Sequence, residues 1–234
     1  MKNNPSISIA LATFNGGSHL QEQLESLASQ ALLPKELVVS DDGSKDNTID
    51  LLVEFSKISP FPVRLFINRE QLGYGRNFLK AASMCLGSHV AFCDQDDIWL
   101  PKKLERINAA LRDNDFDLIA HSAKVVDRHL SWLGANFPDI KFDRFLDESE
   151  RSNGFFWPGF TLTISKALLS DVCSISGSAM KDLNFAHDEL ICELAINRLC
   201  YVISEPLALY RQHGNNLIGF HGAMLRNSNF QKTF

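Results

Sequence analysis

The first half of this 234-residue chain alternates between two hydrophobic periods, and that alternation restricts the folds open to it. Ile7 to Thr13 is an apolar run of strand length, and His19 to Gln30 carries Leu20, Leu24 and Leu27 at helical spacing. Leu37 to Ser40 reads as a strand, and Asp46 to Lys57 as a helix through Ile49, Leu52, Val53 and Phe55. Val63 to Ile67, His89 to Cys93 and Asp117 to His121 are further strands, separated by helices over Gly75 to Leu86 and Lys102 to Arg112. This order predicts an α/β fold with a Rossmann-like, mostly parallel central sheet and helices on both faces. In such sheets, ligands sit outside the carboxyl ends of the strands.

The second half is less regular. Residues 129–154 are polar with scattered aromatics and no sustained period, which predicts loops or a flap. Phe155 to Ile164 is strand-like around a Pro-Gly break. Ala186 to Arg198 reads as a helix with Leu190, Leu194 and Ile196 inward, and Tyr201 to Ile203 as a strand. Pro206 to Gln212 then leads into a turn at His213 to Asn216. One domain over residues 1–234 is expected, with a nucleotide-binding half (1–121), an acceptor half (122–218) and a tail (219–234). Leu225 to Phe234 ends without a helix stop signal, as a C-terminally shortened chain would.

A formal charge of −5 leaves no basic excess to neutralise a nucleic-acid backbone. The five cysteines lie within apolar runs, show no CxxC or zinc spacing, and read as buried thiols of a reducing compartment. No stretch has the roughly 18 apolar residues of a membrane span, and Met1 to Pro5 leads straight into a strand rather than a secretory core. A cytoplasmic protein is expected, with peripheral membrane association compatible with these features.

Polar clusters follow three of the strands. Thr13-Phe14-Asn15 follows the first and Asp41-Asp42-Gly43-Ser44 the second, while Asp94, Asp96 and Asp97 crowd together after the fourth. Crowded carboxylates need solvent, donors or a cation, and oxygen ligands of this kind suit a divalent ion bridging to substrate phosphates. Helix capping would account for Gly43, Ser44 and Asp46. It leaves Asp41 or Asp42 to accept a base N–H or a ribose hydroxyl. Gly73-Tyr74-Gly75-Arg76-Asn77 is half of a GxGxxG pattern, and there is no GxxxxGK[ST]. Arg76 could face a diphosphate. His187-Asp188-Glu189 opens a helix; Asp188 could act as a general base, oriented by His187 or by backbone donors. In Tyr210 to Asn216, Arg211 or His213 could reach a diphosphate or a metal.

Taken in order, these segments resemble the family 2 glycosyltransferases of GT-A fold. The likeness rests on Ala12-Thr13-Phe14-Asn15, Asp41-Asp42-Gly43-Ser44-x-Asp46-x-Thr48, Gly73-x-x-Arg76-Asn77, Asp94-x-Asp96-Asp97, Gly159, His187-Asp188 and Arg211 to Asn216, and spans about residues 6–218. The resemblance implies an inverting enzyme with a nucleoside-diphosphate-sugar donor and a Mg²⁺ or Mn²⁺ cofactor. By the same likeness Thr13, Phe14, Asn15, Asp41, Asp42, Arg76, Asp94 and Arg211 would bind the donor, with Phe14 against the base and Asp94 near the ribose. Asp96 and His213 would hold the metal, and Asp188 would be the base. Arg211-Gln212-His213 stands where processive synthases carry QxxRW, which argues against a membrane-embedded polymerase. Asp-Gln-Asp-Asp-Ile-Trp resembles bacterial surface-polysaccharide (O-antigen or capsule) enzymes, including rhamnosyltransferases. A dTDP-rhamnose or UDP-sugar donor, a saccharide or lipid-linked acceptor and a place at the inner face of the plasma membrane are then expected. A catalytically inactive nucleotide-sugar-binding scaffold is the alternative. A nucleotidyltransferase would want a basic loop after the first strand, and Asn15-Gly16-Gly17-Ser18 has no Lys or Arg.

Overall fold

The computed structural model describes residues 5–152, 157–178, 186–214 and 216. Phe155, Phe156, Asn215 and the tail 219–234, all named above, lie outside them. The first half follows the expected alternation: β1 (Ile7–Thr13), α1 (Leu20–Ala28), β2 (Glu36–Asp41), α2 (Thr48–Ile58), β3 (Val63–Ile67), α3 (Tyr74–Met84), β4 (His89–Cys93), the short β5 (Ile98–Trp99) and α4 (Lys103–Asp113). The second half contains β6 (Leu118–Val126), β7 (Trp132–Asn136), β8 (Arg144–Phe145), α5 (Glu148–Ser152), a 3-10 turn (Gly159–Thr161), β9 (Leu162–Ser165), α6 (Lys166–Ser178), α7 (His187–Leu194) and β10 (Cys200–Arg211).

These strands form one sheet in the order β3-β2-β1-β4-β9-β6-β10-β5, with β7 on β6 and β8 on β10. Because β-strand side chains alternate, each strand feeds two cores. Ile7, Ile9 and Leu11 of β1 pack with Leu20, Leu24 and Leu27 of α1, Leu52 of α2 and Leu104 of α4. Ala10 and Ala12 face the other way, with Phe78 of α3, Leu168 and Val172 of α6 and Ile191 of α7. Fully burying one such Leu or Phe stabilises the fold by about 2 kcal/mol.

Two expectations are corrected here. Residues 129–154 are not only loops, since β7, β8 and α5 lie within them. Nor does the last strand stop at Ile203: β10 runs for 12 residues, and register shifts on either side of Pro206 absorb the proline that cannot donate to the ladder. Helix α6 was not expected, although Leu168, Leu169 and Val172 supply its buried face.

Strand direction places the site. β1 and β4 are parallel with Leu11 opposite Cys93, so Asp94 and Gln95 continue alongside Ala12 to Phe14. β9 runs antiparallel to β4 with Thr163 opposite Ala91, which carries the Gly159–Thr161 turn to the same edge as the acidic loop. An antiparallel insertion therefore delivers second-half residues to the carboxyl end of the first half.

Candidate active site

A cavity of about 410 Å³ opens at this edge. Its wall includes Thr13, Phe14, Asp42, Asp94, Asp96 and Asp188, drawn from four separate segments. Phe14 is 43% exposed at the mouth and offers its ring to a flat ligand. Beneath it, Gln95 clamps the backbone: the Phe14 N–H donates to Gln95 Oε1 (2.9 Å), and Gln95 Nε2 donates to the Phe14 carbonyl (3.2 Å). Gly16 packs so close that a Cβ there would lie 2.2 Å from Gln95 Oε1.

Asp41 and Asp42, left as alternatives by the sequence, separate cleanly. A carboxylate offers about four acceptor sites, and the structure fills all four on Asp41. Thr13 Oγ1 (2.8 Å) and Ser44 Oγ (2.5 Å) donate to its Oδ2, and the Gly43 and Ser44 N–H groups donate to its Oδ1 (3.0 and 2.8 Å). Asp41 is a turn residue, and Gly43 makes the turn possible at φ 83°. Asp42 accepts from Asn68 Nδ2 (3.0 Å), Leu72 N–H (2.8 Å) and Gly73 N–H (2.9 Å). That leaves one acceptor site on a residue of the cavity wall.

Three other residues expected to bind the donor are not among those that line the cavity. Asn15 turns its Oδ1 to the Lys45 N–H (2.8 Å) and braces the neighbouring loop. Arg76, half-buried in the first turn of α3, is not part of the cavity wall. Arg211 is buried behind the acidic loop, where it pairs with Glu22 (2.5 Å) and approaches His19 Nδ1 (3.1 Å). Their polar surroundings at the same sheet edge hid this difference, because which way a side chain points depends on tertiary partners.

One oxygen each from Asp94, Asp96 and Asp97 lie within 4.8 Å of one another. His213 Nε2 reaches Asp96 Oδ2 at 2.9 Å, so the two residues expected to hold a metal do meet. Asp97 Oδ1 accepts the Arg211 N–H (2.9 Å), while its buried Oδ2 has no partner. Burial, then the charges of Asp96 and Asp188, push the Asp94 carboxyl up to about 8. Burial, with Asp96 and Asp94, raises Asp97 well above the carboxylate range. A crowded, under-compensated set of oxygen ligands fits Mg²⁺ or Mn²⁺.

Asp188 lies in the first turn of α7, opposite this loop. Its Oδ1 accepts the Glu189 N–H (3.1 Å) and its Oδ2 the Gly159 N–H (3.2 Å), so backbone donors orient it. His187 does not share that task. Neither of its ring nitrogens has a hydrogen-bond partner, and it stacks on Phe78 at 4.1 Å. Burial alone holds it down to about 3, a neutral imidazole at ordinary pH. A Cβ on Gly159 would meet His187 Nε2 at 2.4 Å, which explains the glycine.

Sequence reasoning missed three groups. Gln95 lay inside the acidic motif without a charge to mark it. Asn68 links Asp42 to Asn77 (2.9 Å), and Asn77 Nδ2 donates to the Thr13 carbonyl (3.2 Å); only the fold joins them. Lys103, two residues after Pro101, is fully buried. Burial brings its ammonium down to about 7, against the opposing charges of Cys93, Asp97 and Asp94.

The family model described as "Glycosyl transferase family 2" matches residues 8–169. The chain belongs to glycosyl transferase family 2. It is 29% identical over 223 residues to the dTDP-rhamnosyl transferase RfbG of Shigella flexneri, covering 89% of this chain and 73% of that protein. An uncharacterized glycosyltransferase, alr2836 of Nostoc sp., is 26% identical, over 90% of this chain and 66% of its own length. The crystal structure of S. aureus TarS 1-349 in complex with UDP superposes with a TM-score of 0.72 at 23% identity. It covers 88% of this chain, which spans 60% of that one, and it shows the GT-A-like α/β fold. Among the described residues, no helix is long and apolar enough to cross a membrane.

Proposed function

We propose that this family 2 enzyme moves a sugar, with inversion, from a nucleoside-diphosphate donor to a hydroxyl of a saccharide or lipid-linked acceptor in bacterial surface-polysaccharide assembly. The observation that carries the reading is the convergence of Asp188 and the Asp94–Asp97 loop on one cavity, close enough for Asp188 to raise the Asp94 carboxyl. Phe14 offers its ring to the base, and Asp42 keeps an acceptor site for its edge. Asp188 takes the proton of the acceptor hydroxyl as that oxygen bonds to the anomeric carbon, while the bond from that carbon to the diphosphate oxygen breaks. The Gly159 and Glu189 N–H groups hold the Asp188 carboxylate in place for this transfer. Asp96 and His213, with Asp94, would hold Mg²⁺ or Mn²⁺, which when bound neutralises charge on the departing diphosphate. An inactive scaffold would leave Asp188 in the cavity wall without a task.

A dTDP-rhamnose or UDP-sugar donor is supported by two relatives. One is named a dTDP-rhamnosyl transferase. The other is UDP-Glc:alpha-D-GlcNAc-diphosphoundecaprenol beta-1,3-glucosyltransferase WfgD of Escherichia coli, 32% identical over 46% of this chain. The second name supports a lipid-linked acceptor; a place at the inner membrane face is proposed with it. Turnover of dTDP-rhamnose, UDP-glucose and UDP-GlcNAc with Mn²⁺ and a bacterial lipid extract tests the reading. Acceptor-dependent release of dTDP or UDP is expected; tight nucleotide binding with no release from any donor would support the scaffold instead.

A further inference from the structure

Lys103 is the first residue of α4, and its side chain is 0% exposed. A buried ammonium costs several kcal/mol unless fixed partners replace its water. Among the described residues no carboxylate forms a salt bridge with it. Its Nζ instead donates to the Phe160 carbonyl at 2.8 Å and lies 3.5 Å from the centre of the Trp99 ring. Trp99 is itself buried in β5, paired to Ala208 of β10. The ammonium thus spans two pieces of the active site. On one side is the 94–102 segment, which carries the acidic loop and leads into Lys103. On the other is the Gly159–Thr161 turn, whose first N–H holds Asp188 Oδ2.

That turn is buried and runs straight into β9, whose ladder with β4 and β6 fixes its far end. Phe160 rests against Tyr210 at 4.9 Å between ring centres. The Thr161 N–H and Oγ1 both bond back to the Pro158 carbonyl, which shapes the turn without anchoring it to the acidic loop. Among the described residues, the Lys103–Phe160 bond is a direct polar link between the turn and the segment that carries the acidic loop.

We propose that Lys103 is a positioning residue for transfer: by holding the Phe160 carbonyl it sets where Gly159, and through it Asp188, stands relative to the acidic loop. The inference rests on the reading of Asp188 as the base. Misplacing a catalytic group by about 1 Å can cost about 100-fold in rate, so the effect belongs in kcat rather than in nucleotide affinity.

The test uses Lys103→Met, which keeps the stem and removes the donor, and Lys103→Gln, which keeps an N–H for the carbonyl. Transfer is followed with whichever of dTDP-rhamnose, UDP-glucose and UDP-GlcNAc the parent enzyme turns over, and binding with UDP and dTDP in Mn²⁺. Lys103→Met should lower kcat about 100-fold with nucleotide Kd within about 3-fold, and Lys103→Gln should recover about 10-fold of the loss. In the Asp188→Asn background, Lys103→Met should cost less than about 3-fold more, because residues acting as one unit are not additive. A crystal structure of Lys103→Met should show the 159–161 turn displaced from the acidic loop, a readout independent of activity. An unmoved turn, an equal loss in both backgrounds, or failure of both variants to fold would overturn the proposal. Full transfer by Asp188→Asn would instead remove the base, whatever Lys103 does.

Discussion

Two acidic loops flank the end of β1 at the carboxyl edge of the sheet, and they manage their charge in opposite ways. After β2, Asp41, Asp42 and Asp46 are built into the backbone. All four acceptor sites of Asp41 and three of Asp42 are taken, and Asp46 receives the Gly17 and Thr48 N–H groups at 2.9 and 3.0 Å. After β4, three carboxylates share a small space with one orphaned oxygen, and burial drives Asp94 and Asp97 toward their protonated forms. The first loop is a finished structural element that offers a shaped edge. The second holds crowded carboxyl groups short of partners, the arrangement expected where ligands complete the site. Equal wording in the sequence conceals unequal chemistry.

The largest effect should come from the carboxylate that faces the open loop. Asp188→Asn should lower kcat by about 1,000-fold with an unchanged Tm, checked by steady-state turnover and thermal unfolding. Next, Asp96→Ala should weaken UDP binding in Mn²⁺ by about 100-fold, and EDTA should bring the parent protein to the same affinity; calorimetry reads both. In the closed loop the penalty should fall on the fold. Asp41→Ala strands four donors, one buried and three half-buried, and should cost about 3 kcal/mol in urea unfolding, with the response to Mn²⁺ unaltered. Were Asp41→Ala to leave stability intact and change the Mn²⁺ response, the contrast would be lost. Smaller and of opposite sign, Asp97→Asn keeps an acceptor for the Arg211 N–H and removes a carboxyl whose raised proton affinity costs stability at neutral pH. It should stabilise the metal-free protein by about 1 kcal/mol.

The last effect is on pH dependence and shows only in acid. His187 is held down to about 3 when folded, against an ordinary value of 6.5. Between those values the unfolded chain binds the proton and the folded one does not. Its contribution is therefore complete above about pH 6.5 and is lost as pH falls toward 3. His187→Phe should flatten that limb of Tm against pH, leaving the parts due to His89 and His121, which burial also lowers.

Period and punctuation made most of the first half readable: β1, β3 and β4 have the bounds that their apolar runs suggest. Each of these elements is specified locally, by alternation for strands and by i, i+4 leucines for helices. β7 and β8 were hidden because an edge strand resting on one neighbour needs little apolar sequence of its own. Pro206 misled because a bulge can carry a proline that a regular ladder cannot. Asp42, Asp94 and Asp96 were named from residue type and strand-end placement and Asp188 from its helix start, and all four line one cavity. Asp41 and Arg211 look the same in one dimension, and only their partners, Ser44 and Glu22, divert them from the cavity. Lys103 was unreadable for the converse reason, since a lysine opening a helix normally belongs to solvent.

The Gln95 clamp makes the ring of Phe14 and the carboxylates beside Gln95 one mechanical unit. A guest that steadies either end spares the other end part of its ordering cost, and thermodynamic reciprocity makes the benefit mutual. Mn²⁺ should accordingly bind more tightly with UDP present than alone, by the same factor that it tightens UDP. Gln95→Ala should shrink that factor in both directions, uncoupling two ligands that it never needs to touch.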